Sequence, residues 1–503
     1  MRNPSLKVCS LLFGGLTLLL AQLGWAAGEA GNATEGKQLF EKKFAAAIPG
    51  AGEKGDGLGP LFNHVSCAAC HLQGGLGGGG PVDVNVVILS AGLRGSRPEK
   101  KKLVEMLREV HPSLISAEGE ISPNIVLHRF SSDWRYRELH ARFVPQDIPL
   151  TPSEQERHSV QQTLARAAQQ NVNVPAPLVM VTSQRNSTAL FGAGLIDQVP
   201  DAMLHALAHR QARQGEVSGR VPPIGLEGVG RFGWRGQIEH LHDFVLGACA
   251  VELGLQVPGH DQPRDPQRPN YVPVSLDLTA DQCASLTAYV SSLPAPRLVL
   301  PSSPERKQTV ERGRELFASV GCAACHVERI GPVQGIYSDL LLHELGEALA
   351  DPVGAEATLV STGKRLPPSD ELVLGVSNKP DNVRQQLTSV TPRPPRTREY
   401  YGNSQSSPLV AAPANVLVVD PESRERVEFK PVASQTDAEW RTPPLWGVAD
   451  SAPYLHDGRA ASVVEAIALH GGEAEACTKR FFALTVADRV AVLEFLSCLK
   501  APQ

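Results

Sequence analysis

Cys67-Ala68-Ala69-Cys70-His71 and Cys322-Ala323-Ala324-Cys325-His326 are the two stretches that decide how this chain is read. Each C-x-x-C-H run offers two thiols to add across the vinyl groups of a haem and one imidazole to bind its iron, the arrangement of c-type haem attachment. If each run is helical, the cysteines stand at i and i+3 and the histidine at i+4, so all three side chains face one haem. Two identical C-A-A-C-H runs in a chain with nine Cys leave little room for coincidence. Zinc is the competing reading, with four thiolates drawn from the two pairs. Zinc ribbons keep such pairs roughly 15–20 residues apart, whereas these lie about 250 apart and each carries the same His. A disulfide or redox C-x-x-C accounts for the histidines less well still.

Working outward, Gly36-Lys37-Gln38-Leu39-Phe40 precedes the first run and Gly313-Arg314-Glu315-Leu316-Phe317 the second. A G-[K/R]-x-L-F segment suits a helix that packs its Leu and Phe beside a haem, and its recurrence points to internal duplication. The expected fold is therefore mainly α: two cytochrome c-like helical haem domains, residues 28–300 and 301–503, joined by a Pro-rich linker at 294–304. Residues 74–80, after His71, are too Gly-rich for a helix and lack the Lys-Ser/Thr of a phosphate loop, which leaves a mobile or haem-covering loop. Residues 82–180 form an insertion of partly β character, with strands expected at 82–89 and 125–130, a charged amphipathic helix at 99–110, a polar helix at 150–170 and a strand pair at 172–182. The run Lys100-Lys101-Lys102 suits a solvated face. Residues 352–435, rich in Pro, Ser and charge, are expected to be long loops on the second domain.

A formal charge of −5 over 503 residues points to neither nucleic acid nor an anionic membrane surface. Residues 1–27 have the features of a secretory signal: Arg2 and Lys7, a mostly apolar 11–23, and small residues at the end. The apolar run is short for a spanning helix, so the mature protein is expected to be periplasmic without a membrane span. Export agrees with c-type attachment, which bacteria complete outside the cytoplasm. Cys9 leaves with the signal. Of the four other cysteines, nearness in sequence pairs Cys249 with Cys283 and Cys477 with Cys498, with buried free thiols as the alternative.

Each iron has a second axial position, whose occupant decides between electron transfer and chemistry. The four Met residues, at 1, 106, 180 and 203, all precede the second motif, so the second domain cannot supply a Met ligand. His470, ending a helical pattern before Gly471-Gly472, is the first choice there, His343 the next, and the Tyr454 phenolate a third. In the first half His64, His111, His128, His140, His205, His209, His240 and His242 are undistinguished by spacing, which is compatible with an open first haem.

The paired haem motifs, Ala452-Pro453-Tyr454-Leu455-His456-Asp457-Gly458-Arg459 and Trp440-Arg441-Thr442-Pro443-Pro444-Leu445-Trp446 resemble the bacterial di-haem oxidoreductase family, a branch of the di-haem cytochrome c peroxidase superfamily. The resemblance covers roughly residues 31–503 apart from the inserts. It implies two covalently bound haem c groups near the interface of the two domains and a calcium ion between them. Carried over residue by residue, 232–239 and 455–465 resemble two copies of one element, and Trp234 falls on the tryptophan between the haems. Residues 250–254 resemble the segment that bears the distal glutamate, which gives that role to Glu252. His470 falls where those peroxidases place an axial Met and their protein-modifying relative a Tyr, so a high-potential electron store is in doubt. Asn186 and the backbone carbonyls of Ser451 and Pro453 fall where the calcium is held; His456 and Asp457 are expected to hold the turn near the second haem. The implied enzyme reduces hydrogen peroxide, or another small oxidant, at the first haem. Electrons come from a small redox protein via the second haem and Trp234, and Glu252 moves the proton. Two readings stay beside it: a non-catalytic di-haem electron-transfer cytochrome, and oxidation of a protein or organic substrate by the same haem pair. A binding or sensing module on the insertion is weaker.

Overall fold

The computed structural model describes residues 31–46, 55–93, 98–143, 178–350, 357–366, 416–419, 426–433 and 438–502, less 117–118, 123, 134, 216, 226–227, 269–270 and 274. The expected signal at 1–27, the helix at 150–170 and the first part of the strand pair at 172–182 lie outside the described residues. Helices predominate over strands. The first unit holds α1 (Ala33–Glu41), α2 (Cys67–Cys70), α3 (Lys100–Val110), α4 (Arg135–Ala141), α5 (Ala193–Asp197), α6 (Asp201–Gln214), α7 (Leu241–Leu253) and α8 (Ala280–Ser292). The second holds α9 (Pro304–Ser319), α10 (Val463–Ala468), α11 (Glu475–Ala483) and α12 (Val486–Ser497).

Both G-[K/R]-x-L-F segments are helical, and for local reasons. Asn32 caps α1 by accepting the N–H groups of Thr34 and Glu35; Ser303 caps α9 on Arg306, with Pro304 at the first turn. Each helix then crosses a partner at a glycine. A Cβ on Gly36 would lie 1.9 Å from the Ser285 carbonyl oxygen of α8, and a Cβ on Gly313 1.9 Å from the Ala491 carbonyl oxygen of α12. Only glycine permits so close an approach. Leu39 and Phe40, like Leu316 and Phe317, are buried at these crossings.

Three apolar cores follow. One gathers α1, α7 and α8 with Ile330, Ile336 and Leu340 from beyond the linker; a second belongs to α9 and α12. The third is the insertion's own. There β2 (Val86–Leu93) lies between β3 (Asn124–Leu127) and β5 (Leu178–Arg185), antiparallel to both. The amphipathic α3 buries Leu103, Met106, Leu107 and Val110 in the same core. Its Lys100 pairs with Glu120 on an exposed surface. A short pair, β1 (Leu61–Phe62) with β4 (Phe130–Ser131), ties the insertion to the segment leading into the first haem motif.

Two expectations need correcting. Residues 82–84 are a 3-10 turn, and the strand expected at 82–89 begins at Val86, after Pro81 has set the turn. Residues 352–435 are not wholly loops. After β6 (Leu342–Glu344), β7 (Ala357–Leu366), β8 (Val416–Val419) and β9 (Arg426–Ala433) make an antiparallel sheet in the order β7-β9-β8. The β-branched Val416, Val418, Val419 and Val427 favour that outcome over the surrounding Pro and charge. A final strand, β10 (Glu439–Arg441), pairs with β6.

Candidate haem sites

Ser66 caps α2 by accepting the Ala69 N–H, so Cys67 and Cys70 stand one helical turn apart with His71 at the end. In the second motif Cys322–Ala324 is a 3-10 turn entered through Gly321 at φ 100. The two histidines are nevertheless held alike. The Nδ1 of His71 lies 3.0 Å from the Gly78 carbonyl oxygen and that of His326 2.9 Å from the Tyr337 carbonyl oxygen. A carbonyl can only accept, so Nδ1 carries the proton in both and Nε2 keeps the lone pair that a metal needs. Phe40 stands 6.3 Å from the His71 ring and Phe317 6.4 Å from the His326 ring. Burial depresses both histidines, His326 to about 4, which keeps them neutral as ligation requires.

A cavity of about 400 Å³ opens onto the second motif. Cys322, Cys325 and His326 line it, and so does His470. His470 is placed by the short α10, which starts at a Ser462–Glu465 capping box. Its Nδ1–H donates to the Ala466 carbonyl at 2.6 Å, leaving Nε2 free as in His326, and burial lowers its pKa too. The other two candidate ligands are otherwise engaged. The His343 ring is gripped at both nitrogens, Nε2 by Asp339 at 2.9 Å and Nδ1 by Glu473 at 2.8 Å. Burial works against its charge, but these hydrogen bonds prevail and hold it protonated, so it offers iron no lone pair. Tyr454 donates its O–H to the Val448 carbonyl, and burial raises its pKa away from the phenolate. Arg231 lines the same cavity but spends its guanidinium on the Val199 and Val229 carbonyls and on Asp201; the buried Arg441 suits a haem propionate, and with neutral imidazoles and thiols it makes a donor set that fits haem.

The element expected twice is present as two matching loops, in a register one residue from that expected. Phe232 bridges Ile238, and Tyr454 bridges Ala460. Gly233 and Gly236 take φ of 83 and 63, and Leu455 and Gly458 both take 73. Trp234 thus answers to His456. Their rings meet edge to face at 6.5 Å, and His456 stacks on Trp440 at 3.7 Å and 11°. Asn186 ties the loops together: its N–H donates to the His456 carbonyl and its own carbonyl accepts the Trp234 Nε1–H. Its side chain donates to Gly80 O and Asn85 Oδ1. Asn186, Ser451 and Pro453 all line the cavity.

Glu252 lies near the C-terminus of α7, close enough to Cys70 for its charge to be felt there. Burial pushes its carboxyl up to about 7, against the pull of an Asn63 Nδ2–H bond to Oε2 at 2.6 Å. A carboxyl poised near neutrality can both take and give a proton.

The cysteine pairings expected from nearness do not form. All eight described cysteines are free, and Cys249 and Cys283 are buried thiols. Cys477 sits on α11 with its Sγ 3.5 Å from that of Cys322, not beside Cys498. Asp339, Glu473, Asn63 and Trp440 had escaped the sequence reading; only Trp440, inside a quoted motif, carried any signal. Cys325, Asp339 and His343 are the one group of potential metal ligands within 4.8 Å of each other among the described residues, and the imidazolium and the thiol's place in the haem motif make it an ion-pair network. No helix among the described residues is long and apolar enough to cross a membrane.

Residues 425–499 match the family described as "Di-haem oxidoreductase, putative peroxidase", which supports a di-haem redox role. No curated protein matches the chain. Among solved structures it is similar to the hydrazine synthase of Kuenenia stuttgartiensis, at 17% identity over 63% of this chain and 73% of that one, with a TM-score of 0.27. It is also similar to a MauG-like protein associated with microbial copper homeostasis, at 15% identity over 60% and 90%, with a TM-score of 0.24. Likenesses at those TM-scores carry no weight for function.

Proposed function

With the resemblance to the di-haem oxidoreductase family as the premise, we propose that this chain is an exported di-haem c-type oxidoreductase that reduces hydrogen peroxide at its first haem. The observation that carries this reading is an asymmetry: His326 shares its cavity with a second imidazole, His470, whereas the first motif has the near-neutral carboxyl of Glu252 beside it. Haem, when bound, supplies a redox-active iron whose open face takes a small oxidant.

The remaining work belongs to the chain. Cys67 and Cys70, and Cys322 and Cys325, would hold two porphyrins through thioethers, and His71 and His326 would offer Nε2 to the irons. His470, its Nδ1–H held by the Ala466 carbonyl, would offer Nε2 as a second imidazole ligand there, which suits electron relay. Glu252 would take a proton from one oxygen of hydrogen peroxide and return it to the other, while the two electrons of the reduction to water come from the donor protein. Trp234, edge-on to His456 and next to the Trp440 stack, lies on the route between the units. Asn186 with the carbonyls of Ser451 and Pro453 offers neutral oxygens of the kind a calcium ion takes. A small redox protein supplies the electrons, and residues 1–27 direct export to the periplasm.

Rapid mixing of the oxidised and half-reduced holoprotein with hydrogen peroxide tests the proposal; an unchanged peroxide concentration and unchanged haem spectra in both states would sink it. The rival electron-transfer cytochrome is favoured by the second imidazole, His470, in the cavity of the second motif. It requires both irons to be six-coordinate, so a high-spin paramagnetic resonance signal from one haem counts against it.

A further inference from the structure

The insertion between residues 82 and 180 stands apart from the haem motifs in sequence, yet its contacts converge on one carboxyl group. Asn63 is buried, four residues before Cys67. Its backbone N–H donates to the Glu252 carbonyl at 2.7 Å, and the next N–H, of His64, donates to the same oxygen at 3.3 Å. Its side-chain Oδ1 accepts the backbone N–H of Arg129 at 2.9 Å. Oδ1 can only accept and that N–H can only donate, so the amide orientation is settled and Nδ2 must point its hydrogens at Glu252. On the other side of Glu252, the buried His128 donates Nε2–H to the Val251 carbonyl at 2.9 Å. His128 and Arg129 are consecutive residues of the insertion, fixed between β3 and β4, and β4 pairs with β1 just ahead of Asn63.

We propose that the insertion is the frame that positions the Glu252 carboxyl: Arg129 clamps Asn63, Asn63 holds Glu252 Oε2, and His128 holds the peptide before it. This rests on Glu252 as the proton carrier of the proposed reaction. Asn63 and His128 are positioning residues, acting through Glu252. With Oε2 held, Oε1 is the oxygen left to exchange a proton, and the clamp fixes where it points. The chargeable groups nearby are His64 beside Asn63, and Asp83, His128 and Arg129 of the insertion; Cys70 on α2, as a thioether in the holoprotein, carries no charge. Burial keeps His128 neutral at physiological pH, with a pKa of about 4. An N–H donor favours the ionised carboxylate, so its loss moves proton affinity upward.

The test follows the carboxyl C=O stretch in infrared difference spectra of the holoprotein across about pH 5 to 9, the band being assigned by its loss in Glu252→Gln. Asn63→Leu is expected to raise the midpoint by about one unit, a tenfold change in proton affinity, through loss of the donor. Asn63→Asp, the same size, is expected to raise it further through like charge. His128→Gln keeps an N–H and leaves the midpoint where it is; His128→Phe removes the donor and raises it. A wild-type midpoint in both Asn63 variants, or no Glu252-dependent band at all, overturns the proposal, and an unmoved midpoint in His128→Phe removes the insertion from it. If the midpoints shift as expected while the wild type leaves peroxide untouched, the frame stands and the peroxidase reading falls.

Discussion

The two haem motifs are spelled identically and their histidines are oriented by the same kind of hydrogen bond, yet the ground facing them differs. Beside Cys322-Ala323-Ala324-Cys325-His326 the chain has a cavity with a second neutral imidazole at His470. Beside Cys67-Ala68-Ala69-Cys70-His71 it has a carboxyl group raised towards neutrality and held by Asn63. Helix length accounts for part of this. After the first matching loop α7 runs for 13 residues and carries Glu252 near its end, whereas after the second α10 stops after six and turns His470 back at the motif. One C-x-x-C-H motif, repeated, thus faces an imidazole in one copy and a carboxyl group in the other, according to what the following helix delivers to it.

The bluntest way to break the comparison is to remove one attachment at a time. Cys67→Ala with Cys70→Ala, and Cys322→Ala with Cys325→Ala, are each expected to halve the pyridine-haemochrome absorbance of the mature protein; equal haem in both variants and wild type would falsify covalent attachment at these sites. Next in size is the split between the two distal groups. Glu252→Gln is expected to lower peroxide turnover roughly 10²–10⁴-fold at full haem content. His470→Ala should convert the second iron from a low-spin to a high-spin spectrum, and a spectrum like that of the wild type would free His470 from ligation.

Smaller effects sharpen the contrast through stability. In the second unit Glu473→Gln strips one of two carboxylates from the buried His343 imidazolium, and an unfolding free energy lower by roughly 3 kcal/mol is expected from chemical denaturation. The pH dependences run in opposite senses. The Glu252 carboxyl is raised in the folded state, so its contribution is complete below its ordinary pKa of 4.5 and fades as pH climbs through about 7. Glu473 is depressed by its hydrogen bond from His343 despite burial, so its contribution holds above 4.5 and fades as pH falls towards about 2. Thermal melts from about pH 5 to 8 should show a loss of order 1–3 kcal/mol that Glu252→Gln flattens. A wild-type slope unaltered by that substitution would show the carboxyl to be ionised throughout.

Much was legible in the one-dimensional pattern because it depends on neighbours a few residues away. The C-x-x-C-H spacing, the two G-[K/R]-x-L-F helices, and the position of His470 before Gly471-Gly472 all follow from local geometry. The Glu252 and Trp234 assignments came by resemblance, with no local signal of their own. The cysteine pairing failed because sequence nearness says nothing about which face a helix presents: Cys477 on α11 meets Cys322, 155 residues away. His343 failed as a ligand for the same reason, since Asp339 and Glu473 close on both of its ring nitrogens only in three dimensions.

The amino-acid order by itself determined that this chain carries two C-x-x-C-H motifs, that a G-[K/R]-x-L-F helix precedes each, and that the second half has no Met to offer an iron. Tertiary structure alone decided that Trp234 and His456 occupy equivalent steps of two loops, that Asn186 fastens those loops together, and that residues of the insertion reach Glu252 through Asn63. Covalent spacing and helix periodicity act over a handful of residues and can be read off directly. The protonation and aim of a buried group depend on partners that only the folded chain brings within hydrogen-bond distance.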